Sequence, residues 1–206
     1  MSSEPSDAEI IERVLDGDAN AFELLVERYS DHVFGIVMKH LPAYEAENVA
    51  HEAFVRAYRA LPSYRRESDV RRWLAAIAVR SSYDFWRERY RSREVPMSSL
   101  GEDEERRLET LSSAASARRA DAEESSREAR ELLALALDRL SAEDRMVLEL
   151  VHIEERPVRE AAALLGWSAA NVKVRAFRSR KRLRAILAKL LADREDGNEH
   201  SKHEDR

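Results

Sequence analysis

The sequence has no cysteine, few residues that break helices and no long apolar run. Without cysteine, neither a disulfide nor a thiolate metal site is possible. Glycine and proline number only 5 each among 206 residues, and no segment alternates apolar and polar residues between turn signals, so we expect helices rather than strands. No apolar run approaches the roughly 20 residues of a membrane span, and the polar N-terminus has no signal-peptide pattern. These absences predict a soluble, cytoplasmic, all-α protein.

The residues that are present suit a highly charged helical chain, with 44% hydrophobic and 36% charged residues. The net charge is -5, which at first argues against a nucleic-acid partner. Acidic residues, however, concentrate in the middle and at the two ends, whereas basic residues concentrate around 87–93 and near the predicted C-terminal helix. Because the distribution of charge determines which partner a surface attracts, the acidic total does not exclude nucleic acid.

One stretch, residues 157–184, has the pattern of a helix-turn-helix. Apolar residues at 158, 161, 162 and 165 keep the spacing of a short helix with one buried face. Gly166 is suited to end that helix, and Ser168 is placed to cap the next one. The predicted inner face of the second helix consists of Val172, Ala176, Leu183 and Leu187. A short helix, a turn with glycine and a second helix define this motif.

The second helix of the motif is basic throughout. Residues 171–189 contain no acidic side chain, and their basic side chains are Lys173, Arg175, Arg178, Arg180, Lys181, Arg182, Arg184 and Lys189. A soluble helix normally mixes charges of both signs. The exclusion of acid favours DNA as the partner of this helix over a merely solvated face.

The remaining pattern divides the chain into two small helical domains, a linker and a tail. Residues 1–93 contain apolar stripes at helical spacing, separated by Gly17, Pro42 and Pro62. Residues 94–131 are rich in Ser, Ala, Glu and Arg, so we expect a flexible, acid-biased linker with helical character only around 123–130. Residues 132–192 are the second domain, and residues 193–206 are expected to be disordered.

Two aromatic residues around the loop that follows Pro62 have different interpretations. Trp73 lies at helical spacing with Leu74 and Ile77, and a core position is its simplest interpretation. Tyr64 lies in the loop beside Arg65, where it is suited either to stack on an unpaired base or to pack locally. The sequence leaves both roles of Tyr64 open.

Three stretches in this order resemble bacterial RNA polymerase sigma factors of the extracytoplasmic-function (ECF) type. AFELLVERYSDHVFGIVMKHL with AENVAHEAFVRAYRAL resembles the first part of sigma region 2. SYRRESDVRRWLAAIAVRSSYDFWRER resembles its promoter-reading end, and LDRLSAEDRMVLELVHIEERPVREAAALLGWSAANVKVRAFRSRKRLR resembles region 4. The resemblance implies a region 2-like helical bundle and a region 4-like helix-turn-helix.

The resemblance also implies partners and residue roles. The chain is expected to bind the clamp and flap of core RNA polymerase and promoter DNA, to be restrained by an anti-sigma factor, and to need no cofactor or metal. Polymerase-binding positions are expected at Glu47, Asn48, His51, Glu52, Phe54 and Arg56. Positions for the minus-ten element are expected at Tyr64, Arg65, Arg66, Arg80, Tyr83 and Arg87. Positions for the minus-thirty-five element are expected at Ser168, Asn171, Lys173, Val174, Arg175, Phe177, Arg178 and Lys181.

Three positions depart from the family pattern. Arg80 replaces the usual Asn after Ala78-Val79, and Arg lacks the acceptor that an Asn amide provides. His51 stands where a Gln is usual in the polymerase-binding helix. Val174 replaces a small polar residue, which favours an apolar contact such as one with a thymine methyl group.

Two other functions compete with this interpretation. A stand-alone helix-turn-helix regulator would explain the C-terminal domain but not the N-terminal one, and such proteins usually bind palindromes as dimers. An enzyme is disfavoured because no Gly-rich phosphate loop or Ser-centred elbow is present. His32 and His40 lie two helical turns apart, too far for a shared metal ion. We therefore expect a non-enzymatic initiation factor.

Overall fold

The computed structural model describes residues 5–65, 69–93 and 120–204, and these form an all-α protein, as predicted. Within these ranges lie eight α-helices: α1 (Asp7–Leu15), α2 (Glu23–His40), α3 (Ala43–Ala60), α4 (Val70–Arg93), α5 (Ala120–Asp138), α6 (Ala142–Leu148), α7 (Val158–Leu165) and α8 (Ala169–Glu204). Short 3-10 helices occupy Ala19–Phe22 and Leu61–Ser63, and a π-helical turn occupies Glu149–Ile153. Within the described ranges, no helix is long and apolar enough to cross a bilayer.

The N-terminal half is a bundle in which α2, α3 and α4 pack on one another. Local sequence signals fix the helix ends. Ser6 caps α1 through a capping box, in which Glu9 N donates to Ser6 Oγ at 3.3 Å and Ser6 N donates to Glu9 Oε2 at 2.7 Å. Pro42 separates α2 from α3, because it cannot continue the preceding helix. Leu25 and Val37 are fully buried in this half of the core.

The C-terminal half contains the predicted helix-turn-helix as α7 and α8. Gly166 ends α7 with a φ of 72°, the left-handed conformation that favours glycine. Ser168 Oγ then accepts a hydrogen bond from Asn171 N at 3.2 Å, which is the predicted cap of α8. Val172 and Ala176 are buried, so the inner face of α8 is the one that its apolar spacing predicts.

The two halves share one continuous hydrophobic core. Helix α4 packs against α6 and α7, and buried side chains of both halves form a single cluster. Leu74 and Ala78 contribute from α4, and Met146 and Leu165 contribute from the C-terminal half. The two domains expected from the sequence are therefore docked on each other in this structure.

Two predicted boundaries differ from the structure. Helix α5 begins at Ala120, inside the segment expected to be a linker, whose residues 94–119 lie outside the described part of the chain. The helix formers of this segment, and an ion pair of 3.3 Å between Arg127 Nε and Glu131 Oε1, explain the earlier start. Helix α8 extends to Glu204, so it runs past residue 192, where the sequence pattern places the end of the second domain. A helix that packing has already nucleated adds further residues at little cost.

Candidate nucleic-acid interface

The outer surface of α8 carries most of the residues predicted to bind the minus-thirty-five element. The two apolar members of the predicted set are exposed, Phe177 at 76% and Val174 at 50%. The polar and basic members of the predicted set that are exposed on this helix or at its cap are Ser168, Asn171, Lys173, Arg178 and Lys181. An exposed aromatic ring among cations has no structural purpose within the fold, so this surface has the chemistry of a contact site for nucleic acid.

Arg175 differs from its neighbours on α8 because it is half-buried and bonded to another helix. Its Nη1 lies 3.0 Å from Asp144 Oδ1 of α6, and its guanidinium carbon lies 5.7 Å from the centre of the Trp167 ring. Arg182 also pairs with Asp144, which is only 1% exposed. Residues 171–189 of α8 contain no acidic side chain, and α6 supplies the carboxylate that pairs with their arginines. Arg175 and Arg182 fix the orientation of α8.

The residues predicted for the minus-ten element lie mostly along one side of α4. Arg80, Tyr83 and Arg87 follow each other at helical spacing. Arg87 is exposed, with its guanidinium carbon 5.9 Å from the centre of the Tyr83 ring. In the preceding loop Arg65 is exposed, and Arg66 lies outside the described residues. The structure thus brings three of the six predicted residues onto one helix.

Tyr64 packs locally in this structure. Its ring lies 4.8 Å from the ring of Trp73 in a tilted arrangement, and both side chains are half-buried against the core. Aromatic pairs of this geometry stabilise a fold beyond the area they bury. The pair positions the loop that follows Pro62 against α4.

Two of the predicted minus-ten residues contact the C-terminal half. Arg80 donates from Nε to Leu164 O at 3.0 Å and from Nη2 to Ala163 O at 3.3 Å. Tyr83 donates from its hydroxyl to Glu143 Oε1 at 3.1 Å, and its ring meets Trp167 edge-on at 5.8 Å. Burial, together with the Glu143 carboxylate, raises the pKa of Tyr83 above its ordinary value. Sequence reasoning did not predict this contact.

The predicted polymerase-binding residues lie on α3. Glu47, Asn48, His51 and Glu52 are exposed. Arg56 is half-buried and pairs with Glu52 at 2.9 Å and with Asp84 of α4 at 2.6 Å. Phe54 is only 8% exposed and belongs to the core, so its ring supports α3 from the inside. The helix therefore presents a polar face, and Phe54 is not part of it.

A buried polar cluster that the sequence did not reveal joins α2 to the π-helical turn. His40 is 2% exposed, and its Nδ1 lies 2.8 Å from Glu149 Oε2. Its Nε2 lies 3.2 Å from Glu154 Oε1, within ion-pair distance but without hydrogen-bond geometry. Arg145 Nε lies 2.8 Å from Glu149 Oε1, and its guanidinium carbon lies 3.6 Å from the centre of the Trp86 ring. Every contact except the one between Arg145 and Glu149 crosses between the two halves.

Comparison with known proteins identifies both halves of the chain. The family model of Sigma-70 region 2 matches residues 25–92, and that of Sigma-70, region 4 matches residues 130–183. The ECF RNA polymerase sigma-E factor of Escherichia coli strain K12 is 30% identical over 181 residues, which are 88% of this chain and 94% of the relative. The RNA polymerase sigma-H factor of Pseudomonas aeruginosa is 40% identical over 83 residues, which are 40% of this chain and 43% of the relative. A solved structure of CnrH in complex with the cytosolic domain of CnrY is 25% identical, with a TM-score of 0.48, and covers 87% of this chain and 96% of its own.

Proposed function

The chain belongs to the ECF family of RNA polymerase sigma factors, and we propose which of its helix faces contact the promoter and which contact the polymerase. As a member, it binds core RNA polymerase and directs the enzyme to promoters at transcription initiation. Two faces contact the promoter in this proposal, and a third contacts the polymerase. The bond-forming chemistry belongs to the polymerase, so this chain needs no catalytic group, and it acts in the cytoplasm where the polymerase works.

The upstream contact is made by the N-terminal part of α8, which enters the major groove of the minus-thirty-five element. The exposed ring of Phe177 beside Arg178 is the observation that supports this proposal most directly. An arginine donates to guanine edges, an Asn such as Asn171 pairs with adenine, and apolar side chains contact thymine methyl groups. Lys173 and Lys181 supply contacts to phosphates, which position the helix without reading sequence.

The downstream contact is made by the loop before α4 and by the exposed side of α4. A base is read on its Watson–Crick edge only after it leaves the duplex, so this half needs a site for an unpaired base and cations for the opened strand. Tyr64 and Arg65 border the site for the unpaired base. Arg80 and Arg87 provide the cations for the opened strand, and Tyr83 lies between them on α4. Arg66 belongs to the proposal from the sequence alone.

The polymerase contact is made by the exposed face of α3. Glu47, Asn48, His51 and Glu52 form a polar strip, and the ion pairs of Arg56 with Glu52 and Asp84 hold that strip against α4. An interface of this composition gains specificity from complementary charge more than from apolar area. An anti-sigma factor, as expected from the family, would inhibit the protein by covering these faces.

In vitro transcription with core polymerase across a library of random promoters tests the function and the promoter preference together. We expect transcripts that start at a fixed distance from two recurring elements. Phe177→Ala should reduce use of the upstream element selectively, and Phe34→Ala, which removes an exposed ring of α2, should not. Tight binding to a palindrome without any binding to core polymerase would instead support a stand-alone regulator.

A further inference from the structure

The interface between the two halves covers part of the face that is proposed to hold the opened DNA strand. Helix α4 packs against α6 and α7 through Arg80 and Tyr83. The same side chains cannot bind α7 and α6 and contact DNA at the same time. The docked arrangement therefore competes with the downstream contact for these two side chains.

Arg80 makes two hydrogen bonds across this interface, beside the hydrophobic core that both halves share. Its guanidinium donates to the carbonyl oxygens of Leu164 and Ala163, in the last turn of α7. The last carbonyl groups of a helix have no partner within the helix, and they lie at the negative end of the helix dipole. The end of α7 thus offers Arg80 oxygen acceptors with partial negative charge, which can take the place of phosphate oxygens as hydrogen-bond partners.

The end of α7 is shaped to admit this guanidinium. Gly166 follows directly after the last turn, and a Cβ atom at this position would lie 3.2 Å from Arg80 Nη2 and 3.4 Å from its Cζ. Such a distance is tighter than an ordinary van der Waals contact, so the side chain would have to move away. Glycine at 166 therefore serves both the positive φ of the turn and the close approach of Arg80.

We propose that Arg80 holds the free protein in a closed state, in which its guanidinium binds the end of α7 in place of the opened promoter strand. This inference rests on the proposed assignment of Arg80 and Tyr83 to the downstream element. It gives a role to the arginine that replaces the usual Asn, because the short neutral side chain of Asn cannot supply a charged fork of donors to two carbonyl groups. The promoter strand and α7 then compete for one side chain.

The absence of cysteine makes the closed state measurable with spin labels. Glu27→Cys on α2 and Ala188→Cys on α8 replace exposed residues in the two halves, and the distance between the labels is measured by pulsed electron paramagnetic resonance in the free protein. We expect one narrow distance distribution for the otherwise unchanged chain. Arg80→Ala and Arg80→Asn should add a longer component, because losing a charge-assisted hydrogen bond changes an equilibrium by roughly tenfold.

Arg72→Ala is the matched control, since it also removes a cation from α4, but its side chain is 84% exposed and pairs with Asp69, just before the same helix. It should leave the narrow distribution unchanged. The proposal is overturned if the unsubstituted chain already shows a broad distribution, or if the Arg80 variants show the same narrow one. These measurements contain neither DNA nor polymerase, so their outcome is independent of whether the chain supports transcription.

A second measurement tests whether the protein leaves the closed state when it binds a promoter. Core RNA polymerase and promoter DNA are added to the labelled, otherwise unsubstituted protein. We expect the short distance to be replaced by a longer one as an active complex forms. Retention of the short distance in a transcribing complex would show that docking of the two halves is compatible with promoter opening, and would overturn the proposal.

Discussion

Asp144 provides the sharpest test of how this fold orients its recognition helix. The carboxylate is 1% exposed and binds both Arg175 and Arg182, so it is the buried anchor between α6 and α8. Removing one partner of a fully buried pair costs about 3–5 kcal/mol, because a charge is left without solvent. The two arginine side chains are 32% and 61% exposed, so water replaces part of the lost interaction. We therefore expect Asp144→Ala to lower the free energy of unfolding by only about 1–3 kcal/mol.

Chemical denaturation followed by circular dichroism measures this change, and Asp144→Asn separates the loss of charge from the loss of volume. Asp18→Ala is the control, because it breaks an ion pair of 2.8 Å with Arg13 on the open surface and should change stability little. Binding of a duplex with the upstream element should weaken in the Asp144 variants, since α8 loses its orientation. A change in unfolding free energy within the range of ordinary surface substitutions, about 0.5 kcal/mol, would refute the assignment of Asp144 as the anchor.

Three further predictions concern single side chains. Phe177→Ala should leave the unfolding free energy nearly unchanged but weaken duplex binding by about 1–3 kcal/mol, the value of burying a Phe ring; equal loss for all duplexes would refute base reading. His51→Ala should reduce the affinity for core polymerase in a pull-down while duplex binding stays constant; unaltered core binding would remove His51 from that face. Burial and the hydrogen bond to Asp7 raise the pKa of Tyr29 from 10.0 to about 12, so stability should fall as the pH rises through this window. Tyr29→Phe should make the fall smaller, and Tyr83, whose pKa is also raised, should account for part of what remains; an unchanged fall would refute the role of Tyr29.

Features that depend on neighbouring residues were predictable from the sequence. The cap at Ser6, the break at Pro42 and the glycine turn at Gly166 each follow from the conformational preference of one residue. The buried faces of α7 and α8 followed from apolar spacing, because a helix repeats every 3.6 residues. The same local reasoning placed the exposed residues of α8, although it could not assign a role to each.

Features that depend on residues far apart in the chain were not predictable. His40 and Glu149 are separated by 109 positions, and Arg80 lies 84 positions before Leu164. No periodicity reports such pairs, since they exist only after α4 docks on the C-terminal half. The sequence shows that Arg80 departs from the family pattern. It does not show the partners of Arg80, because these are backbone carbonyl groups, which every residue has. The burial of Phe54 was likewise not predictable, because its place in a family motif does not reveal which way the ring points.

The fold also decides which of the basic residues of α8 are available to DNA. Counted along the sequence, Arg175 and Arg182 belong to one uninterrupted basic helix, yet both are bound to the buried carboxylate of Asp144. The slope of binding against salt concentration scales with the number of phosphates that a protein neutralises, at about 0.9 per phosphate on duplex DNA. Arg178→Ala should therefore make this slope shallower, whereas Arg182→Ala should act mainly on stability. The net charge of the chain predicts neither result, because the buried carboxylate of Asp144 pairs with Arg175 and Arg182 and does not face the DNA.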